Sequence, residues 1–166
     1  KLRARGIRPE RISQFEFQRL VLLEQLRGRR ILTAFAQRLL NTGRAKRVVI
    51  ITDRGELDCW SYLSEKNAGE LLEQLGISPQ EMYKYHDLVI HMVTAALGAL
   101  GHYQTTDNRP EDPEQAIFRD KKTQAAWRNH RNFHIIPNEI GGRKISFQEK
   151  LDILYIKICD LIRVDS

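Results

Sequence analysis

The sequence predicts an α/β fold: a parallel sheet with helices on both faces, forming one domain over residues 1–166. Three observations predict it. Val48-Val49-Ile50-Ile51 is an unbroken run of β-branched apolar residues, the pattern of a parallel strand buried on both faces. Leu88 to Val93 and Phe133 to Ile136 give a second and a shorter third apolar run. The segments between them carry helical periodicity, and strands alternating with helices form parallel sheets. Three strands are few beside a mean of about five to six per sheet, so further strands are expected before Lys1.

Residues 14–42 place Phe17, Leu20, Val21, Leu23, Leu26, Ile31, Phe35 and Leu39 at helical spacing. Gly28 offers a break into two helices, and Gly43 stands where a glycine ends a helix. The strand over 48–52 follows. Leu57–Leu63 and Ala68–Leu75 read as short helices, and Ser78-Pro79-Gln80-Glu81 as a capping box with proline at the first helical position. After the second strand, Ala95–Asp112 is a long polar loop holding Gly98, Gly101, Asn108 and Pro110. Asp112-Pro113 opens a helix to about Arg131, with Ile117, Lys121, Gln124 and Arg128 at one-face spacing. The third strand leads through a glycine-rich basic stretch, 137–145, to a second capping box, Ser146–Glu149. The final helix is expected to bury Leu151, Leu154, Ile158 and Leu161.

The formal net charge of +6 permits an anionic partner, whether nucleotide phosphates, nucleic acid or anionic lipid, although most of the basic residues read as a solvated face. Basic residues are densest at Arg3, Arg5, Arg8, Arg11 and at Arg27, Arg29, Arg30. Aromatic residues do not alternate with these patches as single-strand stacking would require, so nucleic acid is the weaker partner class. No apolar run reaches the ~18–20 residues that span a bilayer, and no secretory signal opens the chain. Cys59 and Cys159 are far apart and in no paired motif, which argues against a disulfide framework or a zinc site and for a reducing, cytoplasmic setting.

Asp53-Arg54 ends the first strand, where open α/β sheets bind ligands. Asp53 reads as a magnesium ligand or as a base toward a substrate hydroxyl. It reads equally as a cap on the next helix. Arg54 offers a donor fork for phosphate or carboxylate, and Asp58 is either a second acid of the cleft or a first-turn helix charge. Arg109, Arg119, Lys121, Lys122 and Arg128 lie within or just after the long loop. They form either a basic lid that neutralises a polyphosphate or a solvated helix face. Arg119 and Arg128, nine positions apart on one helix, point to opposed sides. His91 reads as a hydrogen-bonded core residue, and His130 with His134 as a poor metal pair. Gly141-Gly142-Arg143-Lys144-Ile145-Ser146 has the wrong spacing for a phosphate loop. No Gly-x-x-x-x-Gly-Lys-Ser/Thr, Gly-x-Ser-x-Gly or Gly-x-Gly-x-x-Gly occurs.

Several segments together resemble a family of small P-loop AAA-type ATPases related to the kinase domain of NadR, which includes the TRPL-translocation-defect proteins. VVIITDRGELD (Val48–Asp58) resembles its second acidic strand, and VIHMVTAALGALGHY (Val89–Tyr103) its next strand and the loop after it. Asn108–Glu111 resembles a compressed form of its Asn-x-x-Arg-x-Glu region. Glu114–Asn138 resembles its lid helix, Trp-x-x-His turn and last strand, and SFQEK (Ser146–Lys150) the start of its final helix. The resemblance covers roughly Glu16 to Ile162 and implies an NTP-binding domain built like a nucleotide kinase. It implies the magnesium or base role for Asp53, contact of Arg54 with the phosphoryl acceptor, action of Arg119 with Arg109 from a lid over 95–131, and cofactor contacts from Arg109 and Arg128. Trp127 and His130 would fix the junction of lid and strand.

The family's first strand and P-loop have no counterpart in these 166 residues. The domain is therefore expected to be incomplete here and not to turn over ATP or GTP by itself, lacking the backbone nest that cradles phosphates. The leading expectation is a Mg-ATP- or Mg-GTP-binding domain whose phosphate acceptor is unknown. The rival is a non-catalytic module whose basic surface binds anionic lipid or a protein partner.

Overall fold

The computed structural model describes residues 12–98, 101, 103 and 111–164. The chain divides into two compact units, 1–78 and 79–166, each treated by itself.

The first unit is built on α1 (Gln14–Asn41), which runs unbroken through Gly28. A capping box starts it: the Ser13 hydroxyl accepts from the Glu16 N–H, and the Glu16 carboxylate accepts from the Ser13 N–H. A Schellman motif ends it, with Gly43 N–H on the Leu40 carbonyl and Arg44 N–H on that of Leu39. Gly43 supplies the left-handed residue this requires, at φ 67°. A 3-10 helix (Glu56–Ser61) and α2 (Glu65–Leu75) pack on α1. Their core holds Leu22, Ala36, Leu57, Cys59, Leu63, Ala68, Leu71 and Leu72.

The strand expected over 48–52 does not form. These residues belong to no helix or strand and make no ladder bond among the described residues. Val49, Ile50 and Ile51 are exposed, Ile51 by 74%. The β-branched pattern was right for a strand, but a strand exists only by pairing, and no described segment pairs with this one. The apolar spacing does not mark one buried face along all of α1: Ile31 and Phe35 of that pattern are exposed.

The second unit begins with α3 (Pro79–Tyr83) and pairs β1 (Val89–Met92) with β2 (Phe133–Ile136) in parallel, Val89 opposite Phe133 and Met92 opposite Ile136. The crossover contains α4 (Pro113–Trp127), capped by the Asp112 carboxylate on the Gln115 N–H. It buries Asp120, Thr123 and Trp127, so the face predicted through Ile117, Lys121, Gln124 and Arg128 is rotated from the true one. The glycine-rich stretch is a hairpin, β3 (Glu139–Ile140) with β4 (Arg143–Lys144). Its loop residues Gly141 and Gly142 both have positive φ, as a tight type I′ turn demands. α5 (Phe147–Val164) follows its predicted capping box and packs on β2. The apolar residues expected to be buried in α5 are only half-buried; among its described side chains, Lys150 alone is fully buried.

The described part of the fold is thus mixed helix and strand, with a small parallel sheet. No helix among the described residues is long and apolar enough to cross a membrane. Gly43 has open space around its missing Cβ, so Gly43→Ala carries only the cost of a left-handed backbone. That cost is about 1 kcal/mol, to be read as a lower urea midpoint with an unchanged slope.

Candidate functional site

In the first unit the chain leaves the end of α1, where the Ala45 N–H bonds the Leu39 carbonyl. It returns to the middle of that helix, where Gln25 donates to the Gly55 carbonyl at 3.3 Å. The next residue, Glu56, is buried and accepts from Arg29 at 2.6–2.7 Å. These two anchors fix the Asp53-Arg54 corner just before them. Arg54 is the one non-glycine residue with positive φ among the described residues, at 81°. Such a conformation persists only when neighbouring contacts enforce it, and it clusters at functional sites. The Arg54 guanidinium is exposed and lies 3.7 Å from Asp58, a loose surface pair. Asp53 is exposed and has no hydrogen-bond or ion-pair partner among the described residues.

Cys59, just beyond this corner, is buried, and burial pushes its thiol up to about 12. It is a core residue and not a nucleophile.

In the second unit, polar side chains gather at the carboxyl ends of β1 and β2. Asp120 Oδ1 accepts from the Thr94 N–H at 2.9 Å and from His91 Nε2 at 3.0 Å. Its Oδ2 accepts from Gln124 at 2.7 Å. Burial alone would raise the Asp120 pKa, but the bonds from His91, Thr94 and Gln124 outweigh it and hold the carboxyl below its ordinary value. Lys150 donates to the Val93 carbonyl at 3.0 Å and to Asn138 Oδ1. Burial pushes its ammonium down, and the Asp120 charge opposes that shift.

Arg119 is half-buried on α4 and pairs with Glu111. Arg128 caps the far end of α4 and is exposed. Arg109 lies outside the described residues. Trp127, Tyr83, His86 and His130 form an aromatic cluster. His130 Nδ1 accepts from the Asn132 N–H, so its Nε2 carries the proton and donates to the His86 carbonyl at 2.8 Å. Both ring nitrogens are thereby committed to fixing the α4–β2 junction.

The structure thus brings Asp53, Arg54 and Asp58 together in one unit and sets Arg119 and Arg128 on α4 of the other. The sequence reading passed over Asp120, Asn138 and Lys150. The signal for Lys150 was its place on the stripe of Leu154, Ile158 and Leu161. No group of three or more His, Cys, Asp or Glu side chains that could hold a metal occurs among the described residues. Comparison with family models, with curated proteins and with solved structures finds no match to this chain.

Arg54→Gly removes the strain and should stabilise the protein by about 1 kcal/mol, measured as a higher melting temperature. Arg29→Met leaves the buried Glu56 carboxylate without this partner and should cost about 3 kcal/mol in urea unfolding. Asp120 contributes stability that is present above the ordinary carboxyl pKa and lost as pH falls through its lower folded value. Lys150 opposes folding while charged. Its contribution therefore rises with pH between its depressed value and the usual 10.5. Urea midpoints across pH should lose the acid limb in Asp120→Asn and the alkaline rise in Lys150→Met.

Proposed function

We propose that this chain binds a nucleoside triphosphate, ATP or GTP, with Mg2+, as the core and lid portion of a kinase-like domain for phosphoryl transfer or NTP hydrolysis. The observation that carries the reading is the Asp53-Arg54 corner: an exposed guanidinium on a strained backbone next to a carboxylate that has no partner among the described residues, fixed from behind by Gln25 and the Arg29–Glu56 pair. Resemblance to the NadR-related ATPases assigns Asp53 to magnesium or to the base role and Arg54 to the phosphoryl acceptor.

The donor set suits magnesium. That ion keeps several waters and takes one or two carboxylates plus phosphate oxygens, so a single exposed Asp53 meets its demand where a dedicated cage is absent. When bound, Mg2+ neutralises phosphate charge during transfer. Asp53 would hold the ion, and Arg54 would meet a phosphate oxygen through its planar fork. By the same resemblance Arg119, oriented by Glu111 within the second unit, is assigned to act from the lid, with Arg109 and Arg128 in support. The sequence has no Gly-x-x-x-x-Gly-Lys-Ser/Thr, so these side chains alone would bind the nucleotide weakly.

One observation favours a second reading. No acidic residue occurs from Gln25 to Thr52, a stretch containing Arg27, Arg30, Arg38, Arg44 and Arg47. The same stretch exposes Ile31, Leu32 and Phe35. A basic helix with exposed apolar residues suits a non-catalytic module that binds an anionic lipid surface or a protein partner.

Titration with a fluorescent ATP analogue separates the two. The nucleotide reading expects weak binding that requires Mg2+, is lost in Asp53→Asn and is weakened in Arg54→Gly, although the latter variant is the more stable protein. Binding indifferent to Mg2+ and to Asp53→Asn overturns it. The second reading expects capture by anionic vesicles or an acidic protein, fading steeply as salt rises.

A further inference from the structure

Val93 and Thr94 stand just beyond the carboxyl end of β1, and their backbone polar groups are fully engaged. The Val93 N–H bonds the Ile136 carbonyl at 3.0 Å, and the Val93 carbonyl accepts from Lys150. The Thr94 N–H bonds Asp120, and the Thr94 carbonyl accepts from Asn138 at 2.8 Å and from the Leu97 N–H at 3.1 Å. Asn138 also donates to the Leu97 carbonyl and accepts from Lys150. An unbroken chain of bonds therefore runs from α5 through Lys150, Asn138 and Thr94 to Asp120 on α4.

Two features set this cluster apart from an ordinary polar edge. Lys150 is 6% exposed and Asp120 8%, in positions where an apolar pair of similar volume would avoid the desolvation of two charges. Both bonds of Lys150 and the bonds of Asp120 Oδ1 are aimed at β1, at the residues just past it, or at Asn138, while Asp120 Oδ2 is held by Gln124 of the same helix. With Val93 and Thr94 saturated, the cluster has little left to offer a ligand. Its geometry suits holding elements in place.

We propose that Lys150 and Asn138 form a joint that fixes α4 to the carboxyl ends of β1 and β2, making them positioning residues for Arg119. Arg119 precedes Asp120 in α4, so the bond from Asp120 to Thr94 sets where that guanidinium stands. The phosphate-binding role of Arg119 rests on the nucleotide reading above; the joint itself does not.

Asn138→Ala is the main test, because Lys150→Met also takes the partner from the Val93 carbonyl. Arg131→Ala, which touches only an exposed pair with Asp87, is the control. The first measurement is amide hydrogen exchange without nucleotide. In Asn138→Ala, protection should fall about tenfold or more, the weight of one hydrogen bond to a charged group. It should fall together over 93–97 and over α4, while α2 and the control variant stay unchanged. If 93–97 opens and α4 keeps its protection, the joint is refuted.

The second measurement is affinity for the fluorescent ATP analogue in wild type, Asn138→Ala, Arg119→Gln and the double variant. Positioning predicts that the double variant binds no worse than Arg119→Gln alone. Multiplied losses would show that Asn138 acts elsewhere. A wild type that binds no nucleotide overturns the functional reading and the assignment to Arg119, while the exchange result still decides the joint.

Discussion

The constraint on which the second unit depends is the need to satisfy backbone polar groups where a two-stranded sheet ends. Among the described residues β1 and β2 supply partners for each other as far as the bond from the Val93 N–H to the Ile136 carbonyl. Past that point a buried N–H or C=O without a partner costs about 1–3 kcal/mol. The fold meets the need with side chains drawn from α4, α5 and the residue after Pro137. The Asn138 amide serves two of these positions, the Thr94 and Leu97 carbonyls, while Lys150 and Asp120 serve one each and bond side chains besides. The helices are thereby tied to the strands by directional bonds as well as by packing.

The first unit solves a different problem. Its core is apolar and helical, and its irregular feature is a corner held in a conformation that an arginine adopts only under constraint. The bonds from Gln25 and Arg29 reach the two residues after that corner, so α1 acts as the rigid rail against which it is set. This explains how exposed side chains can be well placed without being buried themselves.

Much of the fold was legible in the sequence where a local rule decides the outcome. Pro79, Asp112-Pro113 and Ser146–Glu149 announced helix starts, and Gly43 announced a helix end. Short apolar runs announced β1 and β2. Reasoning failed where the outcome depends on a distant partner. Val48–Thr52 has the composition of a buried strand, but composition cannot say whether a neighbour is present. Asp120 and Lys150 were passed over because charged residues are seldom fully buried unless paired. Trp127 was the available clue: stepping back four and seven residues along α4 gives Thr123 and Asp120, the face the structure buries. The Asp53-Arg54 corner was found from its strand-end motif, although the strand itself did not form, and its positive φ had no local signal.

The run Val48–Thr52, unpaired among the described residues, also bears on how the protein behaves in a crowded solution. A short β-branched stretch without proline, open along its backbone, is the kind of segment that stacks with copies of itself. Lys46 and Arg47 stand on one side of it and Asp53 and Arg54 on the other, so an in-register parallel stack of identical runs brings like charges together. Such flanking charges act as gatekeepers. The acid–base corner read here as a ligand handle therefore doubles as colloidal protection, and neutralising it for a binding study also removes part of the barrier to self-association.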